Sequence, residues 1–483
     1  MLSTLINKEL RAILLSPKFT ATFAVCSILL LLSVFTGVRE YKAAVDQYES
    51  SVRLSETQLQ EQTSWAHVTD RAHRKPDPLQ VFVSGLSYDI GRWSHIMRNE
   101  SIQLRHSVYT DDPIFALFRF VDFGFIVLFV LSLFAVLFTY DAVNGEREQG
   151  TLKLVLSNAV PRSRFLIGKV IGAWIGLVAP ISIPVLLSLL IVILSGVSLT
   201  GTDWARLITL LGLSLLFFTF FIVFGVMISA LTRRSAVSFL LSLVIWVGFV
   251  MIIPRAGVMT AGYFVDVPRE AEIEAQRDAY AKDQWMVFYD AAEKRWAQFN
   301  RGREELTEEE YDALMWQRMV EEDSARMVVQ RQINDYDHRL HEDLRQRKRA
   351  QERLALALSR FSPASAFQLA AMSIAGTDMS LKTRYEDAMA RHRQQFADYT
   401  EARKLESGTT GAIMITASED GFSISGDRDN AGLDITGLPR FETPQLTYAE
   451  TIAPAVADFG LLGVAVLLSF VIAFVAFLRY DAR

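Results

Sequence analysis

The chain has 483 residues, 51% of them hydrophobic, a formal net charge of −5 and a single cysteine, Cys26. So mild a charge argues against a nucleic-acid partner, and one cysteine excludes a disulfide framework within the chain, so any exported domain must hold together by packing. The apolar residues fall in a few long runs with the charges between them, which points to a membrane protein with polar excursions rather than one large soluble core.

Lys8, Arg11 and Lys18 precede an apolar stretch from Phe19 to Val38. Its length is close to the roughly 20 residues that cross a hydrocarbon core and exceeds the apolar run of a cleaved signal peptide, about 7–15 residues. It reads as an uncleaved first span, 19–38. Ahead of it, Leu2, Leu5, Ile6, Leu10, Ile13 and Leu14 recur at helical spacing around Lys8, Glu9 and Arg11. This spacing predicts an amphipathic interfacial helix within 1–18, either a simple anchor or a surface on which an ATPase packs. Further apolar runs at 117–140, 166–195, 207–231, 237–254 and 455–478 bring the spans to six. Each must be a helix, because lipid leaves no partner for unpaired backbone groups. Pro180 and Pro184 predict a kink or break in the third. Basic residues gather before the first span, between the second and third (Arg147, Lys153, Arg162, Arg164, Lys169), at Arg233–Arg234, and after the last span (Arg479, Arg483). The positive-inside rule puts these segments and both termini in the cytoplasm, the tail being 479–483. The segments 39–116, 196–206 and 255–454 then lie outside.

The first excursion, 39–116, reads helical from Tyr41 to His73 and turn-rich from Pro76 to Pro113. His67, His73, His95 and His106, with Met97 beside one of them, raise metal ligation. No pair has tight ligand spacing, so no metal site is assigned and solvent-facing or interfacial histidines are expected. The long excursion opens on a charged helix, Pro268 to Asn300, bearing Trp285, Phe288, Tyr289, Trp296 and Phe299. Gly302 breaks it, Thr307 and Glu310 have capping-box spacing, and a second helical pattern runs to Arg360. Unbroken, that helix would measure about 80 Å. Met315, Met319, Ile333, Tyr336, Leu340, Leu344 and Leu354 form a partial stripe suited to a water-exposed hairpin, the alternative being a solvated spacer. Ala364–Ala375 is apolar but too short to span, which suggests an interfacial or re-entrant helix. A helix over Leu381–Leu405 and a small β-hairpin over 412–417 and 421–426 follow. The expected fold class is an all-α polytopic membrane protein with six transmembrane helices and a mainly helical extracytoplasmic domain that carries a small β-hairpin.

No phosphate loop, His-Glu-x-x-His, Gly-x-Ser-x-Gly or Cys-x-x-Cys motif occurs. The few ionisable groups in the spans, Arg119 and Asp122 at pairing distance along a helix and Asp458, sit near the outer ends. An ion-driven carrier would place charge deeper, so the energy source is expected on another chain.

The stretch Tyr140 to Trp174 contains Glu146, Glu148, Gly150, Thr151, Leu152, Pro161, Arg162, Gly168 and Lys169. It resembles the loop between the second and third spans of ABC type-2 permeases. The opening Asn7-Lys8-Glu9-Leu10-Arg11 with Ser16-Pro17-Lys18 resembles that family's N-terminal helix. Together with the last span, the resemblance covers about the first 260 residues. It implies a coupling helix that docks on a separate ATPase, with Glu146, Glu148, Gly150, Thr151, Leu152, Pro161 and Arg162 as coupling residues. Glu146 and Glu148 would favour a helix N-terminus and meet basic groups of the ATPase. Leu152, Leu154 and Leu156 would give apolar contact, and Gly150 would permit close approach. The chain itself is expected to be non-catalytic and to bind no cofactor or metal, ATP and magnesium belonging to the ATPase. The resemblance further implies an exporter in a bacterial or archaeal plasma membrane, as a homodimer or a heterodimer with a related permease, on two ATPase subunits. The large excursions are similar to a subgroup that includes relatives of the permease for nitrous oxide reductase copper-centre maturation, which implies an extracytoplasmic protein partner. A membrane-anchored scaffold or sensor that binds a partner through its helical outer domain is the alternative from another class.

Overall fold

The structure, a computed structural model, describes residues 2–62, 65, 68–96, 104–105, 121–157, 161–301, 307–406, 414–418, 421–425, 435 and 437–479. Among them, six helices are long and apolar enough to cross a membrane: Pro17–Gln60, Phe123–Glu148, Arg162–Leu194, Gly201–Leu231, Ser235–Phe264 and Val456–Leu478. The protein is an all-helical polytopic membrane protein, and each of the six helices overlaps one of the apolar runs. The chain forms two compact units, Met1–Met251 with Ser362–Arg483, and Ile252–Phe361.

The first unit begins with α1 (Leu2–Leu14) and α2 (Pro17–Gln60). Ser16 starts α2 by accepting from the Phe19 amide, and Pro17 fits the first helical position because its missing N–H would go unpaired there. α2 carries the first span and continues past it to Gln60, short of the helix expected to His73. Asp70–His73 is instead β1, paired antiparallel with β2 (Trp93–Ile96), Asp70 opposite Ile96 and His73 opposite Trp93. The Gln62 side chain closes the turn between helix and strand by bonding both backbone groups of Thr69. So short an alternation left no clear period-2 signal against the helical run before it.

The second span enters through one turn at Phe123–Phe125, runs as a π-helix over Ile126–Leu131 and finishes as α3 (Ser132–Thr139). Asp122 caps it at the Phe125 amide and accepts from the Ser84 hydroxyl, 2.8 Å away. The Arg119 partner expected for Asp122 lies outside the described residues. α4 (Asn144–Glu148) and α5 (Thr151–Ser157) lead to α6 (Arg162–Leu194), which stays helical through Pro180 and Pro184. No break occurs there, and the Ser182 hydroxyl donates to the Ala179 carbonyl beside the prolines. The next two spans are α7 (Gly201–Leu231) and α8 (Ser235–Val247), the latter continued by a π-helical stretch, Gly248–Ile252. The Trp246 indole donates to the Ser132 hydroxyl at 2.8 Å, joining the two spans that contain π-helical turns. The best windows of the second and fourth spans are each 61% buried against 22–28% for the other four, so these two form the middle of the bundle.

The second unit contains α9 (Ile253–Phe264), α10 (Glu270–Arg301) and α11 (Glu308–Ser359). α11 is continuous over 52 residues, about 78 Å at 1.5 Å per residue. α10 and α11 run antiparallel. Arg277 meets Asp337, Tyr280 stacks on Tyr336 at 4.1 Å, Arg295 pairs with Glu322 at 2.9 Å and Phe299 lies on Tyr311. Ile333 and Leu344 of the predicted stripe are buried, while Met315 and Met319 stay exposed. The side chain of Glu310, half of the expected capping box, lies outside the described residues. α9 packs along the end of α11, where Gln351 donates to the Val265 carbonyl and Ser359 to that of Pro254.

The rest of the long excursion rejoins the first unit. α12 (Pro363–Ala375) is buried along most of its length, and Phe367 stacks on Phe217 of α7 at 4.5 Å. Phe217 lies midway along α7. α13 (Ser380–Glu406) packs Leu381, Tyr385, Met389 and Phe396 against Ala72, Ile90 and Ile96. β3 (Met414–Ser418) and β4 (Gly421–Ser425) form the expected hairpin, and α14 (Tyr448–Ile452) leads to the last span, α15 (Val456–Leu478). At this end of the bundle Arg206, 3% exposed, bonds Asp77, Asp203 and the Ile374 carbonyl, neutralising itself within the fold. Among the described histidines, His73 bonds Ser55 and His392 bonds Asp70. His67, His106 and Met97 lie outside the described residues.

Candidate functional site

The loop between the second and third spans is built from the membrane side outward. Ser229 of α7 receives the amides of Val143 and Asn144 at 2.9 and 3.1 Å and donates to the Asn144 side chain, which in turn reaches Thr232. This network satisfies the free amides at the start of α4, a helix end that otherwise lacks partners. α4 is thereby fixed to the end of the fourth span.

Glu146 and Glu148 diverge from α4. Glu146 is buried, 2.5 Å from Lys8 and 2.8 Å from Lys169, with the Thr151 hydroxyl on its other oxygen at 2.7 Å. Lys169 also reaches Glu9 at 2.6 Å. The result is a four-membered ion cluster, balanced in charge, that joins α1, α4 and α6. Its members are hydrogen-bonded as well as paired, the condition under which a largely buried ion cluster is tolerated. Glu148 lies at the surface and accepts from the amide and hydroxyl of Ser235, capping the fifth span. Both carboxylates, expected to face basic groups of an ATPase, have partners inside this chain.

The acidic-Gly-Thr-Leu stretch forms two short helices in place of one. Gly150 separates α4 from α5 at φ +72°, the left-handed region open to glycine, and a side chain there would meet nothing within 4 Å. Its conformation, rather than the expected close approach, accounts for the glycine. Leu152 is buried with Val143, Phe165, Leu166, Val226 and Phe477, which fastens α5 to the third, fourth and last spans. Leu154 points away and is 66% exposed, next to the exposed Lys153. The Leu156 side chain lies outside the described residues. Pro161 is exposed at the start of α6, and the Arg162 guanidinium donates to the Leu478 carbonyl at 2.5 Å, capping the last span.

The packing of α1 was not foreseen. It lies on α6 over Gly168, Gly172 and Gly176, spaced one turn apart. A Cβ at Gly172 would stand 2.6 Å from Glu9 Cβ, and one at Gly176 would stand 3.3 Å from Ile13. The repeated small-x-x-x-small spacing was the available signal, since it lets two helices approach closely. The partners of Glu146 had no such signal, because Lys8 and Glu9 read as the polar face of an interfacial helix.

The model of the ABC-2 family transporter protein matches residues 3–482, almost the entire chain. The chain belongs to the ABC-2 transporter family. A search of curated proteins gives no match. As an ABC-2 family member with six spans, the protein is a permease subunit of an ABC transporter. The family match also extends through the long excursion, 255–454, which the sequence resemblance had left uncovered.

Proposed function

We propose that this permease couples ATP hydrolysis on a separate ATPase to movement of its spans through the cytoplasmic coupling loop, residues 141–165, and that it works as an exporter. The observation that carries the reading is the two-sided construction of α5. Leu152 anchors it in the span core, while Leu154, beside Lys153, offers an apolar contact to another protein. A helix so fastened transmits a push to the second, third, fourth and last spans as a rigid body. On this reading Gly150 sets the angle of α5, Thr151 and Glu146 lock it to α1 and α6, and Pro161 and Arg162 tie the loop exit to the last span. ATP and magnesium sit on the ATPase, and this chain has no catalysis of its own. Two such chains, or this one and a homologue, pair on two ATPase subunits in a bacterial or archaeal plasma membrane. The basic segments support placing the loop and both termini in the cytoplasm. The large excursions support the subgroup related to the permease of nitrous oxide reductase copper-centre maturation, with an extracytoplasmic protein partner.

The test is Leu154→Glu, with Lys153→Glu as companion. Copurification of the ATPase should fall tenfold or more, as expected where one exposed apolar side chain anchors an interface, while the thermal unfolding midpoint of the permease stays put. Wild-type ATPase recovery in both variants would remove α5 from the interface. Absence of any ATPase from wild-type preparations in native membranes would favour the scaffold or sensor instead.

A further inference from the structure

A cleft of about 300 Å³ opens in the first unit between α2 and the segment that includes β1 and β2. Gln47 and Ser51 line it from α2, and Arg74, Tyr88, Arg92 and Trp93 from the other side. Among its described lining residues are two arginines and no carboxylate. The partners of both guanidiniums are neutral. Arg74 donates to the Ser87 carbonyl at 2.6 Å and the Gly91 carbonyl at 3.4 Å, and Arg92 donates to the Gln47 side chain. Nearby acids are engaged elsewhere: Asp77 with Arg206, Asp70 with His392 and Glu40 with the Tyr88 hydroxyl. Burial lowers the pKa of Arg74, against the opposing influence of Tyr385, Tyr88 and Asp77, and the like charge of Arg92 adds to the lowering. Among the described residues, these contacts orient the two forks and engage three of their ten N–H donors.

We propose that this cleft binds a small organic anion through a carboxylate or phosphate group held between Arg74 and Arg92. Planar guanidinium forks match both groups in geometry and charge. The volume is at the lower end for small-molecule pockets, and Trp93 offers an apolar wall for the rest of the molecule. A free solute fits better than a lipid headgroup. Gln47 and Ser51 lie 9 and 13 residues past Val38, the end of the first apolar run. That is about 14–20 Å of helix, beyond a headgroup layer of about 5–8 Å. The inference stands apart from the coupling reading, because it concerns binding alone.

The test uses the full chain in nanodiscs of uncharged lipid, with succinate and glycerol 3-phosphate as probes and thermal protection as the readout. At least one probe should protect saturably. Arg92→Gln should raise its half-saturating concentration tenfold or more. The Arg92 guanidinium bonds only a side chain, so this variant should leave the unliganded midpoint unchanged, unlike Arg74→Gln, which releases two carbonyls. Ser51→Glu, which brings a carboxylate into the cleft, should abolish protection. No protection by either probe, or the same protection in Arg92→Gln and Ser51→Glu, overturns the proposal. Protection by phosphatidate discs alone would assign the cleft to a lipid headgroup and overturn the free-solute reading.

Discussion

Glu146 and Glu148 stand two residues apart on one short helix, yet their substitutions should have different effects. Glu146→Gln leaves Lys8 without its carboxylate and Lys169 with Glu9 alone. Losing hydrogen bonds to a charged, mostly buried group costs about 1.5–3 kcal/mol. The expected result is a lower thermal unfolding midpoint and a protease-sensitive α1, whether or not the ATPase is present. Glu148→Gln weakens only a surface cap on Ser235 and should leave α1 protected. Equal protease sensitivity of Leu10–Leu14 in both variants would show that Glu146 does not hold α1. Charge reversal at either position therefore reports on internal packing before it reports on docking, and Leu154 is the cleaner probe of the proposed ATPase contact.

At the scale of elements, Gly150 is the joint between α4 and α5. Because open space surrounds the position, substitutions there act through the backbone alone. Gly150→Ala should cost about 1–2 kcal/mol of left-handed strain, and Gly150→Asn, which tolerates that region, distinctly less. ATPase copurification should follow the order Gly, Asn, Ala, Val, and an order set by side-chain volume, with Asn below Ala, would contradict the strain argument. The π-helical turns in the second and fifth spans and the strand β1 were not legible in the sequence, because helical periodicity does not register one extra residue per turn and a four-residue strand has too few alternations. Apolar run length did locate the spans, since bilayer thickness fixes it. The motif located the loop, but a motif records residue types without their partners. That is why Glu146 could be found and its bonds to Lys8 and Lys169, more than twenty residues away on either side, could not.

At the scale of the whole molecule, the sequence showed one long excursion and the structure shows two parts, because α12 and α13 return to the first unit while Ile252–Phe361 stands as a unit of its own. Its orientation is tested by labelling. In a Cys26→Ser background, an impermeant thiol reagent applied to intact cells should modify Ser324→Cys and miss Ser157→Cys, both positions being exposed on the chain. The opposite pattern would invert the topology.

The hairpin of α10 and α11 should be dispensable for assembly and necessary for function. Its own contacts close within it, through Tyr280 on Tyr336 and Arg295 on Glu322. It nevertheless exposes Val287, Tyr289, Val320, Met327 and Val328, more apolar surface than a spacer needs. The place to cut is set by Gln351, whose side chain bonds the Val265 carbonyl at 2.9 Å and brings the two strands of chain together. Replacing 268–349 with a Gly-Ser linker of about six residues, each reaching up to about 3.5 Å, spans that gap without strain and keeps α9 packed on the end of α11. The truncated permease should insert, retain its ATPase at wild-type stoichiometry and hydrolyse ATP at a basal rate within about twofold of wild type, because α1, α4, α5 and α6 are untouched. It should fail to restore the phenotype of a strain lacking the chromosomal copy. A second variant, Val287→Glu with Val320→Glu in the intact chain, should fail in the same way if the apolar surface is what matters. Full complementation by the truncated chain would reduce the hairpin to a spacer, and failure of the truncation with normal function of the double variant would move the partner contact elsewhere on the hairpin.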